Sequence, residues 1–207
     1  MAAELATGSP SASRIGTYGR ICLWAGVLGA ASGIFMSVVP PAVGPERFSY
    51  PFDAGGHQLI QAWFAVQHVG LILGLVALLA SGAIGASRYA RTGMYVGLGG
   101  LALLTAAELW AIQFALADLD SPRLAPLNAT YGVASMLAGA GLVVAGIGAV
   151  RSRRWQGWRR YLPLALGGYV FVPMTPAIMG PYLAARLAIT GWMLLFAALG
   201  WALARPD

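Results

Sequence analysis

The sequence predicts an all-α integral membrane protein, a bundle of six transmembrane helices. Of the 207 residues, 58% are hydrophobic and only 10% are charged, whereas a soluble domain carries about 25% charged residues. Such a chain cannot cover a water-facing surface, which excludes a soluble enzyme, a nucleic-acid-binding protein and a disordered protein. Six apolar runs of about 20 residues are the second observation, because a helix of that length crosses the hydrocarbon core of a bilayer.

The six apolar runs define one domain, residues 18–204, with a short tail at each end. Small and polar residues before the domain predict a disordered cytoplasmic tail over 1–17, and residues 205–207 form the second tail. Glycine is abundant, with 28 residues, which favours close packing between transmembrane helices. The fifth span contains several Pro and Gly residues, so we expect a kinked helix. The predicted spans are 21–39, 58–80, 93–117, 129–150, 162–180 and 183–204.

Arginine supplies all 13 basic residues, and its distribution predicts the orientation of the helices. Cytoplasmic loops of membrane proteins carry the excess of basic residues. With six spans, ten arginines fall on one side, and only Arg47, Arg123 and Arg186 fall on the other. Both termini are therefore predicted to be cytoplasmic, in a multi-pass protein of the plasma membrane whose basic side attracts anionic lipid headgroups.

The predicted outer side carries the longest loop, residues 40–57, between the first two spans. Loops of this length are usually functional or disordered. Aromatic residues are scarce in disordered segments, so the aromatic cluster of this loop favours an ordered lid on the mouth of the bundle over a mobile connector. Four residues of the loop are candidates for a second acid or a lid contact: Glu46, Tyr50, Asp53 and His57.

Three ionisable residues fall inside the predicted spans: His68, Glu108 and Arg186. Such groups are expensive in the hydrocarbon core, so each is a candidate functional residue. At a rise of about 1.5 Å per residue, His68 would lie about 15 Å and Glu108 about 13 Å below the outer end of its span. We therefore expect these two to meet at matched depth as a candidate catalytic pair, with Arg186 closer to the surface.

Helical spacing extends this pair to a larger candidate site. His57, Gln61, Phe64 and His68 recur at positions i, i+4, i+7 and i+11, which places them on one face of a helix. Other polar and aromatic residues on the remaining spans would converge on the same space. The predicted substrate-binding residues are Gln61, Trp63, Phe64, Trp110, Gln113, Tyr131, Tyr169 and Arg186.

The chemistry that suits such a site begins with protonation by Glu108. A protonated carboxylic acid in a dry cavity is a good general acid, and aromatic faces stabilise cations where water is excluded. An acid with aromatic walls therefore favours protonation of an alkene or epoxide, followed by carbocation cyclisation of a prenyl chain. In the alternative, Glu108 and His68 only lock two helices together through an interhelical hydrogen bond.

Two segments carry a resemblance: PERFSYPF at 45–52, before the second span, and GWRRYLPLALGGYVF at 157–171, opening the fifth. With a His in the second span, they resemble small actinobacterial multi-span membrane proteins. In architecture the chain is also similar to the integral membrane terpene cyclases of meroterpenoid and drimentine-type biosynthesis. That resemblance implies a metal-independent enzyme, embedded in the membrane, that uses acidic residues as proton donors. It covers size, helicity and composition, and it transfers no catalytic position to this chain.

Two other functions remain open. A small proton-coupled transporter or lipophile-binding protein would use Glu108 and His68 as a proton path, and a homodimer would then supply the half that 207 residues lack for alternating access. A non-catalytic partner subunit would dock through small-residue helix faces. No metal site and no cofactor are predicted, since Asp118 and Asp120 are too sparse to hold a metal cluster. The expected partners are a prenylated or lipid-like small molecule and membrane lipids, with no nucleic acid.

Overall fold

The structure is a computed structural model that describes residues 10–205, and it confirms the all-helical fold. Six of its spans are long and apolar enough to cross a membrane, so the protein is a multi-pass membrane protein. The fifth span is made of α5, a π-helical turn at Val170–Met174 and α6. The helices are α1 Pro10–Val38, α2 Ala54–Ala80, α3 Arg88–Ala111, α4 Ala125–Ser152, α5 Leu162–Tyr169, α6 Thr175–Ile178 and α7 Tyr182–Ala204.

Several helix ends differ from the sequence prediction. Helix α1 begins at Pro10, so residues 10–17 are helical and not part of a disordered tail; residues 1–9 and 206–207 lie outside the described part. Helix α2 begins at Ala54, four residues before the predicted start at 58, because the Asp53 carboxylate accepts a hydrogen bond from Gly56 N at 2.7 Å. This side chain caps the helix and satisfies one of its free amide groups. Helix α3 ends at Ala111, ahead of the predicted 117.

The six spans pack in a ring in which chain neighbours are also spatial neighbours. Helix α1 contacts α2, α2 contacts α3, α3 contacts α4, α4 contacts α5, and α7 closes the ring between α5 and α1. One end of this ring holds the starts of α1, α3 and α5 and the ends of α2, α4 and α7. Ten of the 13 arginines belong to this end, which we call the arginine-rich end.

Glycine allows the helix backbones to touch from the middle of the bundle towards the arginine-rich end. A Cβ atom added to Gly100 of α3 would lie 2.8 Å from the Ala134 carbonyl of α4 and closer still to the Ala138 amide. On the opposite side, Gly26 of α1 faces Ala197 of α7 in the same way. Lipid does not drive helices together as water does, so close backbone contact between small residues supplies the attraction. This half of the bundle is therefore densely packed.

The fifth span is irregular, as its Pro and Gly content predicts. Pro173 lies inside the π-helical turn and has no amide to donate. The hydroxyl of Thr175 donates to the Val170 carbonyl at 2.7 Å, and the Thr175 amide donates to the same oxygen. These bonds satisfy a backbone acceptor that has no access to water. The span then ends at Ile178, after the short helix α6.

Substitution of Gly100 by Leu should separate α3 from α4 and destabilise the protein by about 1–3 kcal/mol, the usual cost of overpacking. Gly99→Leu is the matched control, because an added Cβ at Gly99 meets no atom within 4 Å. Thermal unfolding in detergent micelles measures both variants. A Gly100→Leu protein that is as stable as Gly99→Leu would contradict the close helix contact.

Candidate functional site

A cavity of about 890 Å³ occupies the half of the bundle opposite the arginine-rich end. Its walls come from α1, α2, α3, α4, α6 and α7, together with the loop between α1 and α2. Small-molecule sites have volumes of about 300–1,000 Å³ and mostly apolar walls with a few polar groups. The cavity is thus large enough to hold a chain-like ligand of isoprenoid size.

The loop between α1 and α2, residues 39–53, covers the mouth of the cavity, and we call it the lid. Backbone hydrogen bonds join it to the loop between α3 and α4: Phe48 N donates to the Ala117 carbonyl at 2.9 Å. Arg47 reinforces this contact, since its guanidinium lies 3.1 Å from the Asp118 carboxylate and 2.9 Å from the Leu116 carbonyl. The lid is therefore fastened to the far side of the mouth.

Aromatic contacts hold the underside of the lid against the helices. The rings of Phe48 and His57 meet edge to face at 5.4 Å, and those of Tyr50 and Tyr182 at 4.9 Å. Tyr182 also donates through its hydroxyl to the Met36 carbonyl of α1 at 3.3 Å. Edge-to-face pairs add about 0.5–1.5 kcal/mol each beyond the area that they bury. These contacts give the upper cavity an aromatic rim.

Glu108 lies at the centre of the polar groups inside the cavity. The Tyr131 hydroxyl donates to Glu108 Oε2 at 2.8 Å, and the side chain of Gln61 interacts with the same hydroxyl. The three residues come from α3, α4 and α2, so the cluster joins three helices at one level. Glu108 keeps part of its surface open to the cavity, which leaves the carboxyl group accessible to a bound molecule.

Arg186 of α7 faces this cluster without pairing directly with it. Among the described residues, the only ion pair with atoms within 4.0 Å is Arg47–Asp118. The Arg186 guanidinium lies 4.9 Å above the Tyr182 ring, and Nη1 is 3.9 Å from Met36 Sδ. Its Nε is buried and has no hydrogen-bond partner, while its charge acts on Glu108 through space. Arg186 therefore places a positive charge beside the carboxyl group.

The register between α2 and α3 contradicts the expected match in depth between His68 and Glu108. His57 Nε2 is 3.1 Å from the Ala111 carbonyl, so these two positions are level. From that level, Glu108 lies three residues down α3, about 5 Å, and His68 eleven residues down α2, about 16 Å. Helix α2 begins before the predicted residue 58, and α3 ends before the predicted residue 117. The first error makes His68 deeper and the second makes Glu108 shallower, so the two errors add. Glu108 is nearly level with Gln61, and His68 lies about 12 Å deeper than Glu108.

His68 lies at the floor of the cavity and does not complete a catalytic pair. It is 6% exposed, and its Nδ1 is buried without a hydrogen-bond partner, although the ring lies near the Phe64 carbonyl one turn earlier. Trp192 packs nearby on the cavity wall and donates through its indole to the Leu166 carbonyl at 3.0 Å. The floor is thus apolar apart from His68 and Gln67.

Eight of the residues predicted from the sequence line the cavity, and six do not. The side chain of Trp63 turns towards α1 and donates to the Ser32 hydroxyl at 2.9 Å. Trp110 lies on the surface against Phe114, and Gln113 lines a separate small pocket beside it. The residues that line the cavity are Tyr50, His57, Gln61, Phe64, His68, Glu108, Tyr131 and Arg186; those outside it are Glu46, Asp53, Trp63, Trp110, Gln113 and Tyr169.

Sequence reasoning missed Asn128 and Gln67, which line the cavity. Asn128, Tyr131 and Ser135 recur at i, i+3 and i+7 on α4, and this spacing is a signal that places all three on one face. No spacing signal distinguishes Gln67 from residues that pack between helices.

Neither a protein-family model, a curated protein nor a solved structure matches the chain. The function is therefore inferred from the geometry of the cavity.

The bond between Tyr131 and Glu108 can be measured by a double-mutant cycle with Tyr131→Phe and Glu108→Leu, since each change removes one partner of the bond. We expect a coupling free energy of about 0.6–1.7 kcal/mol, the range for hydrogen bonds between transmembrane helices. Unfolding in detergent of the two single variants, the double variant and the original protein supplies the four stabilities. Additive effects would show that the two side chains do not interact.

Proposed function

We propose that the protein is an intramembrane terpene cyclase that binds a prenylated molecule in the cavity and protonates its chain from Glu108. The observation that carries this proposal is a carboxyl group, hydrogen-bonded to Tyr131, inside an apolar cavity with an aromatic rim. Prenyl chains partition into the bilayer, where this protein resides. The chain would be a farnesyl or geranylgeranyl group, whose length suits a cavity that runs from the lid to His68.

The reaction balances without a cofactor. Glu108 gives its proton either to one carbon of a terminal alkene, which leaves a carbocation at the neighbouring carbon, or to the oxygen of a terminal epoxide, whose C–O bond breaks to leave a hydroxyl group and a carbocation. The π electrons of the next alkene attack that carbon and close a ring. The final cation then loses a proton, and one proton returns to the Glu108 carboxylate, so the acid is restored. Product and substrate are isomers. The Tyr131 hydroxyl stabilises the Glu108 carboxylate that remains, since hydrogen bonds to charged groups are worth about 1.5–3 kcal/mol.

The walls of the cavity suit the cation that this reaction generates. Phe64, Tyr131 and Trp192 present aromatic rings to the interior, and aromatic faces attract a cation by about 2 kcal/mol or more when desolvated. The lid limits the entry of water, which would otherwise capture the carbocation. The positive charge of Arg186 favours the Glu108 carboxylate that remains after proton transfer.

For the orientation, we infer that both termini are cytoplasmic and that the lid faces the outside of the plasma membrane. Ten arginines lie at the arginine-rich end, and no acidic residue in 10–205 accompanies them. Every acidic residue in that range lies in the lid, in the loop between α3 and α4, or in the cavity. The distribution follows the bias of cytoplasmic loops for basic residues.

Proton-coupled transport is the second candidate, favoured by the position of Arg186 near Glu108 below the lid. A transporter needs a path to both sides of the membrane in turn. The close contacts of Gly26 and Gly100 stand between the cavity and the arginine-rich end, and they favour a site that opens on one side. The homodimer and the non-catalytic partner role remain predictions.

The cyclase proposal is tested by incubating the detergent-purified protein with farnesyl- and geranylgeranyl-bearing acceptors, followed by chromatography and mass analysis. We expect a product of unchanged mass with a new retention time. Glu108→Gln should reduce its formation by about 100-fold or more, the usual contribution of a general acid, and Tyr131→Phe by about tenfold.

Glu46→Gln is the matched control, because Glu46 is an exposed carboxylate of the lid whose side chain lies outside the cavity. It should form product at the original rate. Retained activity in Glu108→Gln would remove Glu108 as the proton donor. Uptake that follows a pH gradient in proteoliposomes, without any isomeric product, would favour transport.

A further inference from the structure

Around the cavity, a side-chain hydrogen bond joins most pairs of neighbouring helices; we call the boundary between two such helices a seam. The indole of Trp63 joins α2 to α1, His57 joins α2 to α3, and the Tyr131 hydroxyl joins α4 to α3. Tyr182 joins α7 to α1, and α6 is continuous with α7 through a short turn. In residues 10–205, no hydrogen bond joins α4 to α6.

The seam between α4 and α6 opens because the fifth span is broken. Helix α4 packs against α5 and the π-helical turn, whereas α6 packs against that turn and α7. On the α6 side of the seam, Ile178 and Met179 line the cavity and are 51% and 85% exposed. On the α4 side, Met136 lines the cavity and is 40% exposed, and Gly132 is exposed with no atom within 4 Å of an added Cβ.

The depth of these positions identifies the medium that they face. Gly132 lies about 10 Å and Met136 about 16 Å from the start of α4 at Ala125. The hydrocarbon core of a bilayer is about 30 Å thick, so Gly132 falls within the leaflet on the lid side and Met136 close to the bilayer midplane. At this depth the medium around the bundle is lipid, so an opening between α4 and α6 leads into lipid. The mouth above is covered by the lid, which Arg47 fastens to the opposite loop.

We propose that ligands enter the cavity sideways, from the lipid leaflet on the lid side, through the slot between α4 and α6. The slot admits an isoprenoid dissolved in the membrane, with its chain passing between Gly132 and Ile178. This rests on the proposed function only in that the cavity binds a prenylated molecule; it does not depend on what Glu108 does to the chain. The lid stays closed during entry and excludes water.

The slot can be closed and reopened in one protein by Gly132→Cys. Reaction of the introduced thiol with benzyl methanethiosulfonate fills the open space at this position, and dithiothreitol removes the benzyl group. The native cysteine, Cys22, is fully buried between helices and stays unmodified. Gly99→Cys is the matched control, because Gly99 faces lipid on α3, away from the cavity, with the same free space.

The probe is a diazirine-bearing farnesol dissolved in phosphatidylcholine vesicles that contain the protein. Photolabelling of cavity residues such as Met174 and Met193, mapped by mass spectrometry, reports entry. Modified Gly132→Cys should label about tenfold more slowly than before modification, and reduction should restore the rate. Probe that is loaded before modification should stay bound and leave about tenfold more slowly. Modified Gly99→Cys should label at the original rate.

Three results would overturn the lateral route. Modified Gly132→Cys could label as fast as before, modification could expel a loaded probe, or the unmodified protein could take no label in the cavity. The first means that ligands enter elsewhere, the second that position 132 belongs to the binding space and not to its entrance, and the third that no membrane-dissolved ligand enters. Label in the cavity without any isomeric product leaves the route standing and removes the cyclase chemistry.

Discussion

Close contact between helix backbones in one half of the bundle is the constraint on which the rest of the structure depends. Glycine at positions such as Gly26 and Gly100 brings α1 onto α7 and α3 onto α4 without intervening side chains. In lipid this packing replaces the hydrophobic effect as the source of helix association. It seals the arginine-rich half, whereas side-chain hydrogen bonds join the helices in the other half, where the cavity lies.

The open half keeps polar groups that a packed membrane bundle would exclude. Glu108, Tyr131 and Gln61 satisfy one another at a single level, which makes their burial tolerable, since unpaired polar groups in hydrocarbon are costly. The lid and the broken fifth span then determine access. The lid closes the aqueous mouth through Arg47, and the broken fifth span leaves the seam between α4 and α6 open towards lipid. The polar cluster around Glu108, the lid that excludes water and the seam that admits a ligand are therefore separate parts of the same cavity.

Hydropathy and spacing were sufficient to predict the six spans and the face that carries His57, Gln61, Phe64 and His68. They were insufficient for the depth of Glu108, because Asp53 and Ala111 fix the ends of α2 and α3, and an error of a few residues at each end adds to about 12 Å between helices. Trp63 and Trp110 were assigned to the site by residue type alone. In a uniformly apolar helix, the side that faces inwards is determined by the neighbouring helices. It therefore cannot be predicted from the sequence of one span.

Thiol accessibility tests the division into a sealed and an open half most directly. In Ser135→Cys the protein carries two thiols, one introduced on the cavity wall and the native Cys22, which lies in the sealed half at 0% exposure. With a small, membrane-permeant methanethiosulfonate, mass spectrometry should find modification at position 135 within minutes and none at Cys22 until the protein unfolds. Equal modification of both thiols, or of neither, would contradict the account.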